Sequence, residues 1–417
     1  MKTLFAASLM TLSVVVPGFP AAPEQSSTAP SAISGTWRSR LSDSWTRRDG
    51  ERWVSLQLER DGEHNFGTSI RMSELDAAGV RGELFSARDV RFTLRRDAGT
   101  FQFEGSFDSG RGAGTFRFAP DGAFAQEVRK SGRQPSTDDL LRLAIHDVDR
   151  SFIASIEAAG YKGIDFEDLV KMRIHGVDAD YIAGLRKAGY DKLSVDDLIK
   201  TRIHGATPAY VVELRNAGYT GLSIDDIVKT RIHGATPAFA QEVKAAGFDR
   251  LSVDDLVKMR IHGVTPALIR DMRARGYKDL SIDDMVNMRI HGVSPEFVKE
   301  IESLGYANPR MQDLVKMRIH GVTAAFVREL ASLGYTKLSI DDLVKMKIHG
   351  VTPQFIRELK ELGYGSVSQD KLVQFRIHSV DAEFIRSVQK AGMKDMSPQD
   401  LVDLSIHGGR RWLSRVR

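Results

Sequence analysis

Ten histidines stand at positions 146, 175, 204, 233, 262, 291, 320, 349, 378 and 407, each 29 residues after the last. No insertion breaks the register, and only His64 lies outside it. A fixed period of this length marks a repeat array, in which each unit packs mainly on its neighbours. The feature therefore governs everything after about Pro120.

One unit, Leu193 to Tyr219, reads LSVDDLIKTRIHGATPAYVVELRNAGY. Ser194 is a helix N-cap, with Asp197 three residues on, close to a capping box. Asp196 and Asp197 fall in the first turn, where the helix dipole favours anions. Leu198, Ile199 and Ile203 form the apolar stripe, and Asp196 to Lys200 is an i,i+4 ion pair of favourable polarity. Arg202 and His204 sit in the last turn, and Gly205 ends the helix in the left-handed conformation. Thr207 then caps a second helix, with Pro208 at its first position. Gly218 stops that helix, and Tyr219 folds back on its last turn.

Each unit is thus a hairpin of two helices of about ten residues. Helices so short are marginal alone, so order comes from burying each stripe against the next copy. A column of Phe152, Tyr181, Tyr210, Phe239, Phe297, Phe326, Phe355 and Phe384, broken only by Leu268, is read as core. The ends depart from the consensus as caps do. Asp147 replaces the first Gly and Ser405 the last Arg, and Trp412 and Leu413 are placed to close the core.

Before Pro120 the period is two. Val54, Leu56 and Leu58 alternate with polar residues, as do Val90, Phe92 and Leu94, then Phe101 and Phe103 with Phe107, then Phe116 and Phe118. Turns follow at Asp97-Ala-Gly-Thr and Asp108-Ser-Gly-Arg-Gly. Short alternating strands with tight turns predict an antiparallel sheet with one buried face. The opening Gly35-Thr36-Trp37 resembles the Gly-x-Trp start of lipocalin-like barrels. A half-barrel covered by its neighbour and a ligand cup lined by Trp37 and Trp53 are both open readings.

The predicted fold class is α+β by domains. A small antiparallel β-meander or half-barrel precedes a right-handed α-solenoid of ten helical-hairpin repeats. The divisions are a signal peptide at 1–22, a linker at 23–34, the β domain at 35–119, a junction helix at 120–133 and the solenoid at 134–417. The signal reading rests on Lys2, the apolar run Leu4–Val16 and the small residues Ala21 and Ala22; that run is too short to span a bilayer. Export to the periplasm or beyond is the expectation, with no membrane-spanning segment after cleavage.

Composition narrows the function classes. There is no cysteine, which excludes disulfides, thiolate metal sites and cysteine nucleophiles. Formal charge is +4 from 59 basic and 55 acidic residues, so nothing demands nucleic acid. There is no Gly-x-Ser-x-Gly elbow, phosphate-binding loop or His-Glu-x-x-His. The chain is read as non-enzymatic, with no cofactor; a small-ligand carrier using the sheet and an enzyme of the cell envelope are the alternatives.

The repeated histidines raise the question of metal. Zinc ligands must converge to ~2.0–2.1 Å, whereas stacked helices lie ~8–10 Å apart and each unit holds one histidine. The favoured reading is a structural ladder of His146, His175, His204, His233, His262, His291, His320, His349, His378 and His407. Each ring would bond the helix C-terminus or a neighbouring cap. Collective titration as a pH sensor is the other reading.

Columns that vary between units carry specificity. One in the second helix runs Ala154, Ala183, Val212, Gln241, Arg270, Lys299, Arg328, Arg357, Arg386. It turns basic halfway along. The next is mostly acidic: Glu213, Glu242, Asp271, Glu300, Glu329, Glu358. The two readings are a surface of inter-unit ion pairs and a basic ridge for a protein or acidic envelope polymer. The chain is expected to be monomeric.

Units of the form Asp-Asp-Leu-Val-x-Met-Arg-Ile-His-Gly-Val-Thr-Pro-x-Phe-Val-x-Glu-Leu, ending Gly-Tyr, stand at 254–276 and 341–364 with small departures. In these the array resembles a family of short α-helical tandem repeats of exported bacterial proteins, whose role is unassigned. The segment 92–118 resembles the domain that precedes such arrays. Similar arrays follow membrane metallopeptidases of the beta-lactam-sensor type. The resemblance implies the fold and an envelope-sensing context. This chain lacks that peptidase's metal motif and membrane helices, so peptidase activity is not implied.

Overall fold

The computed structural model of the chain describes residues 31–40, 53–60, 64–76, 89–108, 111–408 and 411. The expected signal peptide, linker residues 23–30 and the closing Trp412 and Leu413 lie outside the described residues. Two compact units divide at Ile182 and Ala183. The architecture is α+β: an antiparallel sheet, then helical repeats.

Among the described residues the first unit opens with seven strands: β1 (Ile33–Arg40), β2 (Trp53–Arg60), β3 (His64–Arg71), β4 (Leu75–Asp76), β5 (Val90–Arg96), β6 (Gly99–Asp108) and β7 (Arg111–Pro120). Their order is β3-β2-β1-β7-β6-β5-β4, all antiparallel. This is the cyclic order of an up-and-down barrel, because β1 pairs with β7. Among the described residues no ladder joins β3 to β4, so the sheet is a half-barrel open at that seam. β1 starts two residues before the expected boundary at Gly35.

The alternating pattern places its apolar residues on one face. Val54, Leu56, Leu58, Phe92, Phe101, Phe103 and Phe118 are all buried. Trp37 is 1 % exposed. Its indole N–H donates to the Glu104 carbonyl at 3.1 Å, and its ring meets Phe92 edge-on at 5.4 Å. Room for it comes from Gly105 and Gly112, where a Cβ would lie 2.8 and 2.7 Å from the indole. Trp37 is thus a core residue, whose ring is shared among phenylalanines rather than turned to a cup. Trp53 is half-buried, with the Arg71 guanidinium 5.3 Å from its ring centroid.

Helix α1 (Gly122–Lys130) follows, capped by Asp121, whose carboxylate accepts from Phe124 N at 2.6 Å. Next come α2 (Thr137–Ile145), α3 (Arg150–Ala158) and α4 (Phe166–His175). α2 packs on β6 and β7. Arg150 pairs with Asp97 of the β5–β6 turn at 3.0 Å and with Glu127 of α1 at 2.9 Å. These ties place the first hairpin, α2 with α3, in the sheet's own unit.

Helix α5 (Ala179–Lys187) crosses the division. The second unit continues with α6 (Val195–Ile203), α7 (Pro208–Asn216), α8 (Ile224–Ile232), α9 (Pro237–Ala245), α10 (Val253–Ile261), α11 (Pro266–Ala274), α12 (Ile282–His291), α13 (Pro295–Ser303), α14 (Met311–Ile319), α15 (Ala324–Ser332), α16 (Ile340–Ile348), α17 (Pro353–Glu361), α18 (Gln369–Ile377), α19 (Ala382–Lys390) and α20 (Pro398–Ile406). From α6 onward each even-numbered helix packs on the next even-numbered helix, and α9 to α19 form the equivalent odd-numbered series. Capping follows the sequence. Ser223 accepts from Asp226 N at 3.0 Å, Asp226 returns the bond, and Thr207 accepts from Tyr210 N at 3.2 Å.

One core runs from Ala235 to Val402. Phe239, Phe297, Phe326, Phe355 and Phe384 of the aromatic column lie in it, and Tyr210 is also buried. Tyrosine hydroxyls tie consecutive hairpins: Tyr190 donates to the Leu222 carbonyl at 2.7 Å, Tyr277 to Pro309 at 2.7 Å and Tyr306 to Leu338 at 2.8 Å. Burial pushes the Tyr277 hydroxyl up to about 12. Where a threonine replaces the buried methionine, the preceding aromatic is a tyrosine. Thr230 and Tyr210 share a hydrogen bond of 2.9 Å.

Candidate interaction surface

The recurring Arg-Ile-His-Gly phrase is a helix end. In α6 the chain closes with a Schellman-type turn. Gly205 has φ +66°, and Ala206 N donates to the Thr201 carbonyl at 2.8 Å. A left-handed residue here favours glycine. A second constraint comes from the next hairpin: a Cβ on Gly205 would lie 2.9 Å from Arg231 Nη2.

That arginine is the cross-hairpin link. Arg231 sits 4.7 Å from the Tyr210 ring centroid, Arg260 4.9 Å from Phe239, Arg318 5.0 Å from Phe297 and Arg376 5.1 Å from Phe355. Lys347 takes the same place over Phe326 at 4.6 Å. Each cation reaches back from one helix end to the aromatic of the preceding hairpin, over that hairpin's Gly. The exceptions follow the same logic. Asp147, with φ +56°, stands for Gly in the first hairpin, and Arg173 Nη2 bonds its carboxylate at 2.8 Å. Ser405 stands for Arg in the last, and its hydroxyl donates to the His378 carbonyl at 2.7 Å.

Most of the histidines do not take this part. His175, His204, His233, His320, His349 and His407 are exposed; His146, His262, His291 and His378 are half-buried. His407 Nδ1 lies 2.7 Å from the Asp403 carbonyl of its own helix. Among the described residues, the rings of His204, His233, His262, His291, His320, His349 and His378 form no hydrogen bond. The joint assigned to the imidazoles is made by the arginine two residues earlier, because only its longer side chain spans to the neighbour. Burial, then the nearby Arg142 charge, lower the pKa of His146. Among the described residues no three His, Asp or Glu side chains gather to hold a metal ion.

Beside each histidine an isoleucine faces water. Ile203, Ile232, Ile261, Ile290, Ile319, Ile348, Ile377 and Ile406 are 52 to 58 % exposed. Ile203 was assigned above to the buried stripe; it lies outside, because i,i+4,i+7 spacing sets it on one face with Asp196 and Lys200. Thr201 takes the buried place. Lys200, expected to pair with Asp196, reaches Asp225 of the next first helix. Lys229–Asp254, Lys258–Asp283, Lys316–Asp341 and Lys345–Asp370 repeat the pattern.

The opposite layer carries the basic column. Arg270, Lys299, Arg328, Arg357 and Arg386 are all exposed. Arg357 pairs with Glu329 of the preceding hairpin at 2.9 Å. Among the described residues the other four form no ion pair. The column therefore combines one inter-unit pair with cations open to a partner. No family model matches the chain, and no curated protein matches it.

Proposed function

We propose that the chain is a non-enzymatic, exported repeat scaffold that binds a protein or an acidic envelope polymer through its basic column. One observation carries the reading: Arg270, Lys299, Arg328 and Arg386 recur at one position of successive second helices, exposed and without ion-pair partners among the described residues. A row of like charges steers and holds a polymer of opposite sign. Among the described residues no helix is long and apolar enough to cross a membrane. The burial of Trp37 among phenylalanines favours this reading over a small-ligand carrier in the sheet.

The test is affinity capture from an envelope extract. The Arg328→Glu/Arg386→Glu protein should lose its captured partner, and the loss should follow ionic strength. Unchanged capture would remove the basic column from the mechanism.

A further inference from the structure

The Ile-His pair is the same in all ten copies. The buried positions of the same helix are not. The Leu198 column admits Leu, Ile and Met, and the Thr201 column admits Thr, Met, Phe and Leu. Packing discriminates by shape and volume, so a packing role would fix the buried columns first. Here an exposed apolar residue is held more strictly than the core beneath it. Rows of exposed apolar side chains mark interaction sites.

The first hairpin shows what covers this position. Asp138, Arg142 and Ile145 of α2 are the residues two periods before Asp196, Lys200 and Ile203. Ile145 is 2 % exposed. The inner face of the half-barrel lies over it. Arg60 of β2 bonds Asp138. The Arg142 guanidinium stands 5.9 Å from the Phe66 ring, and Thr68 donates to the Ile145 carbonyl at 3.3 Å. Phe66 and Thr68 are alternate residues of β3, so one strand face supplies a ring for the cation and a hydroxyl for the helix C-terminal carbonyl, which has no intrahelical donor.

We propose that the isoleucine row from Ile203 to Ile406 is a docking surface for a β-sheet face of a partner protein. That face presents aromatic and hydroxyl side chains at alternate strand positions. The Lys–Asp pairs along the row already neutralise its charged margin, so little uncompensated charge is desolvated on docking. The inference rests on the scaffold reading but not on the basic column, which belongs to the second helices.

The experiment uses the full chain with its isoleucine δ-methyl groups isotopically labelled. The probe is a backbone-cyclised peptide of the β2–β3 sequence, residues 53–71. Cyclisation removes much of the ordering cost. The exposed-row methyl signals should shift together, while those of buried Ile269, Ile301 and Ile385 stay fixed. A probe with Phe66→Ser and Thr68→Ala should bind about tenfold or more weakly. Ile290→Ser/Ile319→Ser should abolish the shifts at neighbouring rungs. Arg328→Glu/Arg386→Glu should leave them unchanged, which separates this surface from the basic column. No shift at about 1 mM probe, or equal shifts with the altered probe, would overturn the proposal. Row shifts that depend on protein concentration alone would assign the row to a second copy of the chain. Shifts with phosphatidylglycerol vesicles but not with the peptide would assign it to lipid. Either outcome overturns a β-sheet partner.

Discussion

The buried pair Tyr210–Thr230 offers a test of how neighbouring hairpins are joined, because the next hairpin contains the alternative. Thr230 donates its one hydroxyl proton to the Ile227 carbonyl at 2.7 Å. The 2.9 Å contact with Tyr210 therefore has the tyrosine as donor. Both side chains are buried. One hairpin later the same places hold Phe239 and Met259, also buried. Tyr210→Phe removes one donor and leaves the threonine satisfied by Ile227, a loss of about 0.5–1.5 kcal/mol. Thr230→Met strands the tyrosine hydroxyl in the core, a loss of about 1–3 kcal/mol before any overpacking. The double substitution reproduces the Phe–Met pair and should fall within about 1 kcal/mol of the parent. A coupling energy of about 1–3 kcal/mol follows. Urea unfolding followed by circular dichroism would measure it, with equal m-values required of all four proteins. Additivity within about 0.5 kcal/mol would refute the account.

Two further outcomes test the helix-end joint and the half-buried imidazole of His146. Arg260→Ala should lower stability by about 0.5–1 kcal/mol through loss of its contact with Phe239, while His262→Ala changes it by less than about 0.5 kcal/mol; a larger histidine effect in the same urea assay would restore the imidazole ladder. His146 has its pKa lowered by burial, so the unfolded chain takes up its proton first and stability falls as pH drops below about 6.5, the ordinary histidine value. His146→Gln should flatten that part of the pH–stability curve, and an unchanged slope between pH 5 and 7 would place the titration elsewhere.

Much of the fold was legible because its signals are local. Ser194 caps α6, Gly205 adopts the left-handed turn and the aromatic column is core, each at the position read from sequence. The sheet's buried face followed from alternation at Val54, Leu56 and Leu58. The cross-hairpin contacts were less legible. Arg231 and Tyr210 are 21 residues apart, and nothing local says that an arginine rather than a histidine spans the gap. The sign was present all the same: between Ala144 of the first copy and Ser405 of the last, the position is always Arg or, once, Lys, which is how a cation with a fixed partner varies. Lys200 shows the same limit, since Asp196 and Asp225 are equally acidic and only the stacking brings the second within reach.

The period of 29 by itself determined that the chain would form identical short hairpins, since capping, left-handed turns and apolar spacing are properties of neighbouring residues. Tertiary structure decided which residues of each hairpin meet the next. It turned one isoleucine per repeat toward water, and it buried the corresponding Ile145 beneath the half-barrel. The reason is physical: a stripe read from sequence fixes which side chains share a helix face, but whether that face is covered depends on what the fold brings against it.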